Sequence, residues 1–139
     1  MSAVHERAWL RGALAALERE AARSADTHLL RLDFPGFPGI GFYFKDEASH
    51  PSGSLKHRLA RSLYLYALCN GKLREGQEVV DASSGSTAIS EAWFARLLGM
   101  RFVAVMPACT ASGKVRDLRA LGGNCDLVND PAATQESLI

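Results

Sequence analysis

The sequence predicts an α/β fold, a parallel sheet with flanking helices, on three observations. Strand-prone and helix-prone stretches alternate from residue 42 onward, the links between them are short, and a glycine follows each of three helical stretches, at Gly71, Gly99 and Gly122. Short links between alternating elements favour parallel strands joined by right-handed crossovers and covered by the connecting helices. In such sheets ligands gather at the carboxyl ends of the strands, so the loops that precede the helices are the places to look for chemistry.

Taken in order, residues 8–22 place Leu10, Leu14, Leu17 and Ala21 at i, i+4, i+7 and i+11, one face of a helix. Pro and Gly crowd positions 35–41 and mark a loop, and Phe42-Tyr43-Phe44 then forms a short aromatic strand. A second loop over 49–54 leads into a helix over 55–70, stopped by Gly71. A strand over 78–82, a loop over 83–86 and a helix over 87–98 follow, then a strand over 101–106 and a loop over 107–111. A helix over 112–121, capped by Ser112 and ended by Gly122-Gly123, and a strand over 125–128 complete a β-α-β-α-β-α-β order. Asp130 and Pro131 look like the cap and first position of another helix. The division is an N-terminal helix and lead-in over 1–34 and an α/β unit over 35–139.

Composition narrows the partners. A chain of 139 residues holds one compact domain, which would bury roughly two-thirds of its unfolded surface, and excludes two full ones. Sixteen Lys and Arg against fifteen Asp and Glu leave a net charge of +1 without basic clusters, so neither nucleic acid nor an anionic membrane is an expected partner. A small molecule or another protein is. Cys69, Cys109 and Cys125 are too widely spaced for a Cys-x-x-Cys pair and read as reduced core thiols. The charged N-terminus lacks a secretory pattern and the longest aliphatic run, 102–106, is far too short to span a membrane, which points to the cytoplasm.

Two loops could carry chemistry. In Pro51-Ser52-Gly53-Ser54-Leu55-Lys56-His57-Arg58, Ser54 is a plausible N-cap that puts Lys56 in the first helical turn. An amine there faces the positive end of the helix dipole, the environment a Schiff-base lysine wants; the alternative is a solvated surface lysine. In Ser83-Ser84-Gly85-Ser86-Thr87, four hydroxyls and the backbone N–H groups of a helix start suit a carboxylate or phosphate, or they simply cap the helix and fill a turn. A nucleophile elbow is absent, and the stretch from Ala108 to Val115 lacks the first glycine and the metal-binding hydroxyl of a phosphate loop. His5, His28, His50 and His57 have no metal-ligand spacing, so no metal is expected.

Together, the run Lys45-Asp46-Glu47 through His50-Pro51-Ser52-Gly53-Ser54-Leu55-Lys56-His57-Arg58, the Ser83–Thr87 loop and Val105-Met106-Pro107 resemble the cysteine synthase family of pyridoxal-phosphate enzymes, fold type II, in order and spacing. The resemblance covers nearly the whole chain. It implies that Lys56 is the Schiff-base lysine and the base for the α-proton, that Ser83, Ser84 and Thr87 grip a substrate carboxylate, and that Ser86 contacts the cofactor ring hydroxyl where cysteine synthases have asparagine. Arg23 to Leu29, Ser54 to Arg58 and Ser84 to Glu91 look more like the bacterial L-cysteine desulfhydrase branch, which implies β-elimination of L-cysteine to pyruvate, ammonia and hydrogen sulfide. His57 and Arg58 are left out of the expected site, since solvent-facing or packing roles suit them equally well.

The resemblance further implies a two-domain enzyme and a homodimer. Family members carry a glycine-rich phosphate loop and a serine or threonine opposite the pyridine nitrogen beyond the second motif, and this chain contains neither. It therefore reads as the N-terminal part of such an enzyme, expected to bind pyridoxal phosphate weakly or not at all and to turn over nothing useful alone. The competing readings are a cysteine synthase, which replaces the acetoxy group of O-acetylserine by sulfide, and a non-catalytic fragment that pairs with a family partner.

Overall fold

Apolar and half-exposed side chains alternate along Arg101–Pro107, and this strand, β4, is the centre of the sheet. The computed structural model describes residues 3–24, 26–83 and 85–129. Its helices are α1 (Ala3–Ser24), α2 (His57–Cys69), α3 (Ser86–Leu97) and α4 (Ser112–Ala120), with a short 3-10 turn at Glu47–Ser49. Its strands besides β4 are β1 (Leu29–Leu32), β2 (Phe42–Lys45), β3 (Glu78–Ala82) and β5 (Asn124–Val128).

β3, β4 and β5 form a parallel sheet in that order, with Ala82 level with Val105 and Ala104 level with Cys125. Phe102, Ala104 and Met106 point from one face of β4 into the core, where α3 covers them. α3 is covered on two sides, by the sheet and by α2, and so buries Ala88, Ser90, Glu91, Ala92, Phe94 and Ala95. That burial pattern explains its small residues: alanine lets the helix lie close to both neighbours. α2 buries Ala60, Tyr64 and Leu68 against α3, and α1 packs on α2. At the turn from α4 into β5, a Cβ on Gly123 would come within 3.1 Å of Leu118 and 3.3 Å of Ala92, so only glycine admits this approach.

The parallel sheet with flanking helices is as the sequence predicts, and most element ends agree within two residues. Three expectations are corrected. The strand at Phe42 does not begin the parallel sheet: β2 pairs antiparallel with β1, Leu29 opposite Lys45, as a separate two-stranded unit. β1 escapes sequence reading because its four residues, Leu-Leu-Arg-Leu, are all exposed and carry no burial period. The cysteines are not core thiols, since Cys69 and Cys109 are exposed and Cys125 is half-buried. The cap of α4 is Ala111, with Ser112 as the first helical residue and no side chain closing the turn. The helix start expected at Asp130 and Pro131 lies outside the described residues.

Phe94 is 0% exposed and touches the rings of His57, Tyr64 and Trp93, so it joins the helical layer to the site described below. Phe94→Ala is expected to cost about 3–5 kcal/mol in urea unfolding, against less than about 0.5 kcal/mol for Leu127→Ala on the half-exposed edge strand.

Candidate active site

The lysine loop is shaped by its own backbone. The Gly53 N–H donates to the His50 carbonyl at 2.7 Å, closing a turn in which Gly53 adopts φ +65°, a left-handed conformation that glycine takes without strain. Ser54 Oγ accepts the Lys56 N–H at 3.0 Å, and the His57 N–H reaches the Ser54 carbonyl at 3.1 Å. Ser54 thus performs the capping bond expected of it, but α2 begins at His57 and Lys56 itself occupies the cap position. Lys56 is half-buried, and its Nζ has no hydrogen-bond or ion-pair partner among the described residues.

The serine loop lies beside it. Ser83 follows β3 and is half-buried, Ser86 is the exposed first residue of α3, and Thr87 is half-buried in its first turn. Ser84 lies outside the described residues. Gly85 is the N-cap of α3 and, among the described residues, no side chain caps this 12-residue helix, so its first N–H groups suit an anion. Two contacts join the loops: the Ser54 hydroxyl donates to the Ser86 carbonyl at 3.5 Å, and Ser52 Oγ meets Ser90 Oγ at 3.2 Å. They border a cleft of 370 Å³ with Ser52, Ser54, Ser86 and Ile89 on one side and Asp117 and Ala120 of α4 on the other.

The residues that hold the lysine loop in place were not legible as site residues. His57, fully buried, places Nε2 2.8 Å from Glu20 Oε1 of α1 and Nδ1 2.9 Å from Ser52 Oγ. Glu20 also receives Arg61 Nη1 at 3.2 Å and the Ser24 hydroxyl. Burial opposes the Glu20 charge, yet the hydrogen bonds from Ser24, His57 and Arg61 prevail and hold its carboxyl below the ordinary value. Burial keeps His57 below its ordinary value in spite of Glu20. A carboxylate facing a neutral imidazole assigns the proton to Nε2, which leaves Nδ1 to accept the Ser52 hydroxyl proton. His50 stacks on the other face of this assembly, ring centroids 4.8 Å apart.

A second anchor acts on the next residue. Arg58 donates to both oxygens of Glu47, at 2.8 and 3.2 Å, while Thr27 Oγ1 donates to Glu47 at 2.7 Å and His50 Nε2 lies 3.0 Å away. The guanidinium foremost, with Thr27 and His50, brings the Glu47 carboxyl down to about 2. The two residues after Lys56 are therefore tied to α1 and to the segment before the loop, and neither reaches the cleft. The signals were Glu20, an acidic residue one turn after Leu17 on the apolar stripe of α1, and Glu47, three residues before His50. The buried stripe of α1 runs Ala13, Leu17, Glu20, Ser24, rotated from the predicted one because it includes those polar groups.

The profile of the family described as pyridoxal-phosphate dependent enzyme matches residues 22–138. The chain belongs to this family. It is 53% identical over 128 residues to the L-cysteine desulfhydrase Cds1 of Mycobacterium tuberculosis, covering 89% of this chain and 35% of that protein. It is 40% identical over 96 residues to a putative cysteine synthase of Sinorhizobium fredii, covering 69% of this chain and 28% of that one. The crystal structure of an O-ureido-L-serine synthase superposes with a TM-score of 0.74 at 33% identity, over 80% of this chain and 35% of that one. The chain spans about a third of the length of these relatives. The residues present suit the family's cofactor: Lys56, whose amine has no partner among the described residues, follows a loop that Ser52 and Ser54 tie to α3, so an amine for an aldehyde and a helix start for an anionic amino acid belong to two joined loops.

Removing Glu20 strands His57 and Arg61 in the interior, so Glu20→Ala is expected to lower unfolding free energy by about 3–5 kcal/mol in urea titration. Acid should act in two steps. The folded state binds fewer protons than the unfolded one at both groups, so their contribution is complete above the ordinary histidine value of 6.5, falls first as His57 is forced to protonate, and falls again below 4.5 as Glu20 does. Unfolding midpoints measured against pH should lose the first step in His57→Gln and keep the second.

Proposed function

We propose that the protein containing this chain is a pyridoxal-phosphate-dependent lyase that acts on L-cysteine, consuming water and releasing hydrogen sulfide, pyruvate and ammonia by β-elimination. The observation that supports this most is the 53% identity to an L-cysteine desulfhydrase over 89% of the chain, including both site loops. Bound pyridoxal phosphate supplies the electron sink that makes the Cα–H bond of an amino acid acidic.

Lys56 would hold the cofactor, and its Nζ would take the Cα proton of the substrate. Lys56 is the cap residue of α2, so the helix start holds its backbone in place. Ser83, Ser84 and Thr87, with the free N–H groups of α3, hold the substrate carboxylate and so fix which Cα bond faces the base. Ser86 would hold the ring hydroxyl of the cofactor, with a shorter side chain than asparagine. The Ser52–His57–Glu20 chain touches none of the reacting atoms and positions the loop.

A second reading, β-replacement by sulfide on O-acetylserine, is supported by the 40% identity to a putative cysteine synthase. Under either reading the substrate is a small amino acid, and the protein works as a cytoplasmic homodimer without nucleic acid. Among the described residues no helix is long and apolar enough to cross a membrane.

Incubation with pyridoxal phosphate, borohydride reduction and peptide mapping are expected to label Lys56 in the full-length protein, and Lys56→Ala to abolish both the label and sulfide release from L-cysteine. Labelling of another lysine would remove the assignment. Cysteine formation from O-acetylserine and sulfide, with no sulfide released from cysteine, would select the second reading.

A further inference from the structure

A second polar cluster lies on the side of α3 turned toward β3. Glu91 of α3 is 5% exposed, and its Oε2 is buried with no hydrogen-bond partner among the described residues. Asp81 of β3, level with Ala104 on the core-facing side of the sheet, presents its carboxyl to that of Glu91. The Tyr64 hydroxyl of α2 is spent on the Glu91 backbone carbonyl at 3.1 Å. Neither carboxyl has an ion-pair partner among the described residues, and the Lys72 amine, past the end of α2, lies instead over the Tyr66 ring at 5.1 Å. The two carboxyls border a hollow of 280 Å³ between α2, β3 and α3, walled by Tyr64, Tyr66, Leu73 and Val79.

We propose that this hollow binds a small organic ammonium ion, its charge against the carboxyls of Asp81 and Glu91 and its apolar part against Tyr64, Leu73 and Val79. With Glu91 5% exposed and facing the Asp81 carboxyl, the two do not readily ionise together, so one keeps a proton that an incoming cation can replace. Among the described residues no third His, Cys, Asp or Glu joins these two carboxyls into a metal-binding group, whereas the apolar and aromatic wall suits an alkylammonium. Burial first, and then the Asp81 charge, raise Glu91 to about 8. Near neutral pH, binding therefore exchanges one proton for one ammonium: Glu91 releases its proton to solvent and the ammonium enters with its charge intact. The site is independent of the activity proposed above.

Titration calorimetry of the chain with n-butylammonium chloride, in two buffers of different ionisation enthalpy, tests this directly. Close to one proton should be released per ammonium bound at about pH 6.5, and almost none above about pH 9. Glu91→Gln, checked for native circular dichroism, should weaken binding at least about tenfold and abolish the release; Asp81→Asn should weaken it as well. The proposal fails if the wild-type chain does not bind, if Glu91→Gln binds with the same affinity, or if potassium chloride at equal concentration displaces the ammonium. Should Glu91→Gln not fold, the proton count of the wild-type chain and the Asp81→Asn affinity decide the matter.

Discussion

A fully buried histidine that joins three separate parts of the chain fixes the geometry around Lys56. His57 gives its Nε2 proton to Glu20 on α1 and takes the hydroxyl proton of Ser52 in the lysine loop, while its ring packs on Trp93 and Phe94 of α3. The bond is strong because it is dry, and the Glu20 charge is tolerable in the interior because Ser24, Arg61 and His57 all donate to it. A residue adjacent to Lys56 is thereby held on two sides by groups that are far away in sequence. Rotation of α1 or α3 would be felt at the lysine without any change in the loop's own residues.

α3 has a related role for the second loop. Its inner face lies on β4 and its outer face on α2, so its start, where Ser86 and Thr87 stand, has little freedom to move. Gly85, as cap, brings no side chain of its own and no other described residue supplies one to the first N–H groups, an arrangement that suits water or an anion. The contacts of Ser54 with Ser86 and of Ser52 with Ser90 carry the lysine loop to that helix start. The same helix bears Glu91 on the side toward β3, so two polar clusters of different character lie along one buried helix.

Much of the fold and both loops were legible without coordinates because their signals are local. Glycines at 71, 99 and 122 adopt positive φ at helix ends, a backbone requirement that shows in the residue itself. The strands over 78–82 and 101–107 announce themselves by β-prone apolar runs between turn residues. β1 did not, since its pairing with β2 across a connection rich in Pro and Gly is a non-local fact and its side chains are exposed. His57, Arg58, Glu20 and Glu47 went unassigned for the same reason: a carboxylate held by a distant histidine or arginine looks, residue by residue, like ordinary surface charge.

By itself, the amino-acid sequence determined the α/β alternation, the two hydroxyl-rich loops and the lysine between them, because capping, turn and period signals act within a few residues. Only the tertiary structure decided which side chains the interior brings together. It paired Glu20 with His57 across 37 positions and set Asp81 against Glu91 across a sheet and a helix. Those contacts depend on how helices pack on one another and on the sheet, and the desolvation that gives them their strength arises only when the chain has closed around them.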